Sequence, residues 1–148
     1  MRSLATRPRS VSQVRERLAR RFDASIVDEA VAGLQADGLL DDAQFAEAWR
    51  SSRERLRPRS ASMVRRELLQ RGVARDIAEE AVSEMDDEEA ALRAAQGPAR
   101  RLAALDRVTF TRRLGGYLAR RGFGAGVVLR TVNRLAAGTG VASENPVR

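Results

Sequence analysis

The side chains that could do chemistry in this sequence are arginines and carboxylates, because the residue types on which most enzymes rely are absent. All 27 cationic side chains among the 148 residues are arginine, and there is no lysine, histidine or cysteine. Disulfides, Cys/His zinc sites, cysteine nucleophiles and imidazole-dependent triads are therefore excluded. We predict that the chain is not an enzyme and that it uses neither a metal ion nor another cofactor.

Two acidic clusters, Asp41-Asp42 and Asp86-Asp87-Glu88-Glu89, raise the alternative of a carboxylate-dependent nuclease. Carboxylate oxygens are suitable ligands for the divalent cations that such enzymes use. Both clusters are runs of consecutive residues at the expected starts of helices, where negative charge stabilises the positive end of the helix dipole. We interpret them as helix-start residues and assign no catalytic or metal-binding residue.

The excess of arginine indicates a polyanionic partner. Against 20 acidic residues it leaves a formal net charge of +7 and a pI of about 11.4, which is typical of proteins that bind nucleic acid. Only 4% of the residues are aromatic. That is too few for the base-stacking platforms of single-strand-binding proteins.

These charges are arranged on an internal repeat. Arg7-Pro8-Arg9-Ser10 recurs as Arg57-Pro58-Arg59-Ser60, a displacement of 50 residues. Three copies of a further pattern follow the same displacement: Val14, Leu18, Arg21; Val64, Leu68, Arg71; and Leu114, Leu118, Arg121. The apolar spacing is helical throughout, and no segment alternates with period two. We predict an all-α fold of tandem three-helix repeats that form an elongated, curved array.

Local signals mark the limits of the repeats and of their helices. We place the first repeat at 1–37, without most of its first helix, the second at 38–85, the third at 86–137, and a disordered tail at 138–148. Ser10 and Gln13 predict a capping box, in which each side chain bonds to the backbone of the other. Gly72 and Gly122 predict helix ends in the left-handed conformation.

Phe45 and Trp49 lie one turn apart on the helix predicted between Gly38 and Pro58, which Asp41 and Asp42 open. We take these four residues as the structural motif of that helix and expect both aromatic rings in the core. The alternative is that Trp49 anchors a partner protein, because tryptophan is favoured at interface hot spots.

Two further expectations concern positions that the repeat makes comparable. Phe22 and Phe123 occupy equivalent junctions between helices, and we expect both in the core. Gly97-Pro98 falls in the first helix of the third repeat and predicts a break or kink there.

The sign of the charge alternates along the chain until the third repeat. Residues 23–49 carry seven acids and 76–92 carry eight, in both cases without an arginine, and a basic segment precedes each. These helices can neutralise one another as surface ion pairs, each contributing about 0–1 kcal/mol. Residues 93–134 carry ten arginines against Asp106 alone. We therefore expect the arginines of the third repeat to face no acidic helix of their own and to supply most contacts with phosphates.

The candidate contacts with DNA or with a DNA filament are arginines of the second and third repeats: Arg65, Arg66, Arg71, Arg112, Arg113, Arg120, Arg121, Arg130 and Arg134. A helix-turn-helix pair could instead place its second helix in the major groove. In the first two repeats that helix carries acids such as Glu29 and Glu80, which phosphates would repel. We expect no sequence-specific readout.

Several strings resemble the RecX family of regulatory proteins. They are residues 38–46 (Gly-Leu-Leu-Asp-Asp-Ala-Gln-Phe-Ala), the two Arg-Pro-Arg-Ser openings, residues 64–73 and residues 117–123. The resemblance covers about 7–137, in order and with the expected spacing. It implies tandem three-helix repeats that bind the RecA recombinase along the groove of its DNA filament. It also implies that the protein limits filament growth and suppresses ATPase and strand exchange in recombination, DNA repair and the SOS response.

The partners implied are the RecA filament, single-stranded DNA and, as a further candidate, double-stranded DNA, with no membrane partner. From the residues alone, a generic non-sequence-specific DNA-binding helical module stays open as the alternative. No stretch approaches the roughly 20 apolar residues that span a bilayer, and the first eight residues lack the apolar region of an export signal. We expect a cytoplasmic monomer.

Overall fold

The computed structural model describes residues 8–138, and every regular element in this part of the chain is an α-helix. The predicted all-α fold is confirmed. The described helices are α1 (Val11–Ala19), α2 (Ala24–Ala36), α3 (Asp42–Leu56), α4 (Ala61–Gln70), α5 (Arg75–Val82), α6 (Asp87–Leu102), α7 (Arg107–Arg120) and α8 (Ala125–Gly138). None of them is long and apolar enough to cross a lipid bilayer. The predicted disordered tail lies outside the described residues, except that Gly138 is the last residue of α8.

The helix-start and helix-end signals act as the sequence predicts. The Ser10 side chain accepts the backbone N–H of Gln13 at 3.1 Å, and the Gln13 side chain accepts the N–H of Ser10 at 3.1 Å. The predicted capping box is confirmed. Gly72 and Gly122 have φ values of 82° and 90°, so the left-handed helix ends are confirmed too. Such values favour glycine because it has no β-carbon to collide with the backbone.

The described chain divides into two compact units. Unit 1 comprises Met1–Ser52 and Val64–Glu84, and unit 2 comprises Arg53–Met63 and Met85–Arg148. Unit 1 therefore holds α1, α2, α5 and most of α3 and α4, whereas unit 2 holds α6, α7 and α8.

The core of unit 1 is built mainly from aliphatic side chains, with one aromatic ring. Val27 and Val31 of α2 form one buried cluster with Leu40, and Phe45 of α3 and Leu68 of α4 are also buried. The apolar stripe of α3 that begins at Phe45 does not continue to the end of the helix, where Leu56 is 75% exposed.

The expectation that Phe22 lies in the core is wrong. Its ring is 49% exposed, whereas the residues at the equivalent junctions, Val73 and Phe123, are only 3% and 5% exposed. Phe123 belongs to the cluster that contains the alanines of α6. Among the described residues no helix precedes α1, so nothing equivalent to α6 covers Phe22.

The core of unit 2 joins a small-residue face of α6 to larger side chains of α7 and α8. Its buried members are Ala90, Ala91, Ala94, Ala95 and Ala99 of α6, Phe110, Leu114 and Leu118 of α7, Phe123, and Val132 and Ala136 of α8. Alanine lets neighbouring helices approach closely, and the branched and aromatic side chains fill the space between them. This packing fixes α6 against α7, between which the candidate site lies.

The break predicted at Gly97-Pro98 is wrong, because α6 runs uninterrupted from Asp87 to Leu102 with Pro98 inside it. Proline has no N–H to donate to the preceding turn, which usually destabilises a helix interior. Pro98 is buried on the same face as Ala94 and Ala95. Its packing in the core of unit 2 offsets the lost hydrogen bond.

A polar junction links the start of α1 to the second repeat within unit 1. The Ser10 hydroxyl donates to the backbone carbonyl of Arg71 at 2.6 Å, and the N–H of Val11 donates to a carboxylate oxygen of Asp42 at 2.8 Å. Asp42 therefore satisfies a helix-start N–H that lies 31 residues away.

A similar junction occurs at the start of α4 within unit 2, with a backbone N–H in place of the serine hydroxyl as the donor to the carbonyl. The N–H of Ser60 donates to the carbonyl of Arg121 at 3.1 Å, and the N–H of Ala61 donates to a carboxylate oxygen of Asp87 at 2.8 Å. Gly122 lies against this contact, where a β-carbon would be 2.5 Å from the Ser60 hydroxyl oxygen.

Candidate nucleic-acid interface

The structure separates the nine predicted DNA-contact arginines by exposure. Six are exposed, namely Arg66, Arg112, Arg113, Arg120, Arg130 and Arg134, and three are partly buried, namely Arg65, Arg71 and Arg121. The exposed set lies mainly on α7 and α8 of unit 2. Exposure is necessary for contact with a phosphate, so these helices present most of the available positive charge of the predicted set.

Two candidate arginines have acidic partners inside their own unit. Arg65 on α4 lies 3.5 Å from Glu79 on α5. Arg130 on α8 bonds to Glu88 on α6, with its Nε at 2.8 Å from a carboxylate oxygen. The expectation that the arginines of the third repeat face no acidic helix is therefore wrong for Arg130, because the acidic start of α6 lies beside α8.

Arg71 and Arg121 take part in aromatic contacts beside the two junctions. The Arg71 guanidinium lies 3.7 Å from the centre of the Trp49 ring system, and that of Arg121 lies 3.5 Å from the Tyr117 ring centre. Trp49, which is partly buried, also stacks on Phe45 with 6.1 Å between ring centres. Cation–π contacts of this kind hold the guanidinium planes against the protein.

The surroundings of Arg121 are strongly cationic. Burial lowers the pKa of its guanidinium below the usual value, and the positive charges of Arg59, Arg120 and Arg57 lower the pKa further. Tyr117 acts in the opposite direction. An arginine keeps its proton at neutral pH even so. Unit 2 thus concentrates several positive charges that a polyanion would stabilise.

Between α6 and α7 of unit 2 lies a cleft of about 410 Å³, which we call the arginine cleft. Its lining residues are Pro98, Arg101, Leu102, Arg112, Arg113, Gly116, Tyr117 and Arg120. The lining contains four arginines, one tyrosine and no acidic residue. It brings together Arg112, Arg113 and Arg120 from the predicted set.

Arg101 is the lining arginine that sequence reasoning missed. It lies in the last turn of α6, next to Arg100. The interrupted helix expected around Gly97-Pro98 left its position undefined, so only the continuous α6 places it opposite α7. One sequence signal could have pointed to Arg101. Gly97 lies four residues before it, and the same spacing separates Gly116 from Arg120, which is in the predicted set.

The acidic clusters stabilise helix starts, as predicted. Asp41 accepts the N–H of Ala43 at 2.9 Å, and Asp86 accepts the N–H of Glu88 at 3.0 Å. Within residues 8–138 no group of three acidic side chains is arranged to hold a metal ion.

A groove of opposite charge lies in unit 1, between α3 and α5. This acidic groove has a volume of about 610 Å³ and is lined by Ala43, Glu47, Arg50, Asp76, Ile77, Glu80, Ala81, Ser83 and Glu84. Arg50 bonds to Glu47 within it. The remaining lining carboxylates make this groove repulsive to phosphates.

Comparison with known proteins decides the family. Sequence profiles described as "RecX, first three-helix domain" and "RecX, second three-helix domain" match residues 1–34 and 41–82. Two relatives named "Regulatory protein RecX" match nearly the whole chain. That of Thermobifida fusca (strain YX) is 37% identical over 150 residues, covering 99% of this chain and 81% of the relative. That of Streptomyces coelicolor is 36% identical over 138 residues, covering 90% and 73%. The chain belongs to the RecX family.

The fold agrees with this assignment. The crystal structure of RecX from Lactobacillus salivarius superimposes with a TM-score of 0.76 at 18% sequence identity, covering 90% of each chain. The predicted resemblance to the RecX family is confirmed. RecX proteins are regulatory proteins and not enzymes.

Proposed function

We propose that this chain binds the RecA recombinase filament on DNA and inhibits filament growth, ATPase activity and strand exchange. The observation that carries the proposal is membership of the RecX regulatory family over nearly the whole chain. We further propose that it acts as a cytoplasmic monomer in recombination and DNA repair.

The DNA side of this contact is assigned to the exposed arginines. Five of the predicted set have no acidic partner within 4.0 Å among the described residues: Arg66, Arg112, Arg113, Arg120 and Arg134. Arg65 and Arg130 contribute less in this proposal, because each would have to give up its carboxylate partner to reach a phosphate. Arg71 and Arg121 have a mainly structural role in this proposal, because aromatic rings hold their guanidinium groups.

Opposite charges in the two units suit a filament made of both protein and nucleic acid. The arginines of unit 2 favour phosphate, and the acidic groove of unit 1 would tolerate only a neutral or basic protein surface. A regulator changes filament activity when it binds two filament states with different affinity. A coupling of about 1–3 kcal/mol between regulator and filament state is enough for a roughly 5- to 150-fold effect.

The direct test is the ATPase activity of RecA from the same organism on single-stranded DNA, measured at increasing concentrations of this protein. We expect the ATPase rate to fall as the concentration of this protein rises, and to be fully inhibited before this protein is in large molar excess over RecA. An ATPase rate that is unaffected, while the protein binds DNA equally well with and without RecA, would contradict the proposal.

The second candidate function is a generic DNA-binding module, which the arginine cleft by itself would favour. It predicts salt-dependent binding to naked DNA that is indifferent to RecA, with about 0.7 added to the slope of log affinity against log salt for each single-strand phosphate contacted. The two functions are separated at a salt concentration that abolishes binding to naked DNA. If the protein stays bound to DNA there only when RecA is present, the filament regulator is supported over the generic module.

A further inference from the structure

We propose that the arginine cleft of unit 2 binds the backbone of single-stranded DNA, with neighbouring phosphates held between Arg101 of α6 and the α7 residues Arg112, Arg113 and Arg120. This deepens the proposed function, on whose DNA contact it rests. It adds Arg101, Gly116 and Tyr117 to the site and specifies a strand that enters between two helices.

Gly116 lets one cleft arginine lie close to the helix backbone. A β-carbon at Gly116 would be 3.2 Å from Nη1 of Arg120, closer than ordinary contact, whereas one at Gly97 would be an ordinary 3.7 Å from Nη1 of Arg101. A helical side chain covers the turn before it, so an arginine lies over the residue four positions earlier. Glycine inside a helix costs about 0.5–1 kcal/mol relative to alanine. At Gly116 this cost is balanced because the Arg120 guanidinium can lie close to the helix backbone and because the backbone of a ligand can approach the helix.

A third glycine and arginine pair shows which kind of group such an arginine binds. A β-carbon at Gly126 would be 3.1 Å from Nη1 of Arg130, the same arrangement as in the cleft. Arg130 bonds to the Glu88 carboxylate. In the described part of the chain, Arg101 and Arg120 have no carboxylate within 4.0 Å. An oxyanion from another molecule therefore matches them, and phosphate accepts the same forked hydrogen bonds as carboxylate.

The cleft residues belong to the third repeat and not to the repeat pattern in general. The 50-residue displacement aligns Arg112 with Ser62 and Arg113 with Met63. It aligns Gly116 with Arg66, Tyr117 with Glu67 and Arg120 with Gln70. All five positions thus differ from the second repeat, whereas the core positions beside them, such as Leu118, match it. The differences concentrate positive charge, an aromatic ring and an open helix surface in one place.

Tyr117 favours a single strand over a duplex as the ligand. Its ring lines the cleft beside the arginines and is held by the Arg121 guanidinium. Aromatic side chains stack on bases that are not already stacked in a duplex, contributing about 1–3 kcal/mol per base. The cleft volume of about 410 Å³ falls in the roughly 300–1,000 Å³ range of ligand pockets. A free nucleotide has the same chemistry, but the sequence lacks the glycine-rich loop with lysine that anchors nucleoside triphosphates.

The test measures binding of a fluorescent oligothymidylate by anisotropy over a range of salt concentrations. Two variants of the full chain change cleft residues, and each is compared with a control variant at the adjacent position in the sequence. Arg101→Gln should flatten the salt slope by about 0.7 and weaken binding about tenfold, as expected for one charge-assisted contact. Gly116→Ala should weaken binding by up to about threefold, because the Arg120 guanidinium must move a few tenths of an ångström away from the new β-carbon. Circular dichroism should show unchanged helix content for both.

The chain provides matched controls beside each position. Arg100→Gln removes the same charge from the same turn of α6 at a residue that does not line the cleft. Gly115→Ala makes the same change in α7, where a β-carbon meets Val128 at an ordinary 3.6 Å. Both controls should bind the oligothymidylate like the parent. Equal losses for Arg100→Gln and Arg101→Gln would overturn the cleft assignment.

Two further outcomes separate the possible failures. Thymidine triphosphate that competes as well as the oligothymidylate at equal phosphate concentration would overturn a strand site in favour of a free nucleotide. If Arg101→Gln and Gly116→Ala bind normally and still inhibit the RecA ATPase, the cleft proposal fails while the proposed function stands. If the parent neither binds the strand nor inhibits RecA, both fail.

Discussion

The acidic groove of unit 1 and the arginine cleft of unit 2 each lie beside the first helix of a three-helix repeat, yet their charges are opposite. The groove lies between α3 and α5 and is lined by Glu47, Asp76, Glu80 and Glu84, whereas the cleft lies between α6 and α7 and is lined by four arginines. The core positions that hold the helices together follow the repeat in both units. The comparison shows that two repeats with a shared helical framework present different surface chemistry beside their first helices.

An ion pair between the second and third helices of a repeat also differs from one repeat to the next. Arg15 bonds to Asp28 in the first repeat, and Arg65 lies 3.5 Å from Glu79 in the second. These pairs occupy equivalent positions, which the repeat displacement carries to Gly115 and Leu129 in the third. Arg15 and Arg65 are therefore partly neutralised by the acids beside them. The third repeat has neither the arginine nor the acid at these positions.

The largest expected difference between the repeats concerns their equivalent phenylalanines. Phe123→Ala should lower the free energy of unfolding by about 3–5 kcal/mol, because it leaves a cavity in the core of unit 2. Phe22→Ala should change it by only about 0.5 kcal/mol, as for other exposed positions. Urea unfolding followed by circular dichroism measures both. Similar losses for the two variants would mean that Phe22 is covered in solution.

Substitutions of two glycines with positive φ should separate backbone strain from crowding at the junction. Gly38→Ala, with φ of 72° and nothing within 4 Å of a β-carbon, should cost about 1–2 kcal/mol of stability from backbone strain alone. Gly122→Ala should cost a further ~1–3 kcal/mol, because its β-carbon would collide with Ser60 and Met63. Thermal or urea unfolding provides the measurement. Equal costs would show that the junction opens easily.

The next expected effect distinguishes unpaired from paired arginines. Arg112→Gln and Arg113→Gln should each flatten the salt dependence of single-stranded DNA binding by about 0.7 in slope. Arg15→Gln and Arg65→Gln should leave the slope nearly unchanged, because each of these arginines already bonds to an acid. Titrations at several salt concentrations measure the slopes. The opposite ranking would place the DNA contact on unit 1 and reverse the comparison.

The smallest expected effect is the ion pair itself. In a double-mutant cycle of Arg65→Ala and Glu79→Ala, the coupling energy should be about 0.2–1 kcal/mol, because both side chains are substantially exposed to solvent. High salt should reduce the coupling. A coupling well above this range that persists in high salt would indicate a buried network rather than a surface pair.

Features set by neighbouring residues could be predicted from the sequence. The Ser10 and Gln13 capping box, the left-handed Gly72 and Gly122, and the acidic helix starts depend on contacts within a few residues. The all-α fold followed from apolar spacing, and the family from strings of consecutive residues. In each case the physical cause lies within one helix or turn.

Features set by tertiary packing could not be predicted. Pro98 is tolerated because its face of α6 is buried, and Phe22 is exposed because no described helix covers it. Arg130 meets Glu88 across 42 residues of chain, which a sum of charges along the sequence cannot reveal. The same holds for Arg101, whose place in the arginine cleft depends on the course of α6 beside α7.

The two polar junctions bear on how this architecture can be divided and how it could have grown by duplication. The start of α1 is completed by Asp42 and by the Arg71 carbonyl, and the start of α4 by Asp87 and by the Arg121 carbonyl. In each case one repeat supplies the helix start and the following repeat supplies its acceptors. The compact unit is therefore offset from the segment that repeats in sequence. A cut at a repeat boundary would leave polar backbone groups unsatisfied on both sides, and a duplicated copy would fold securely only beside a neighbour.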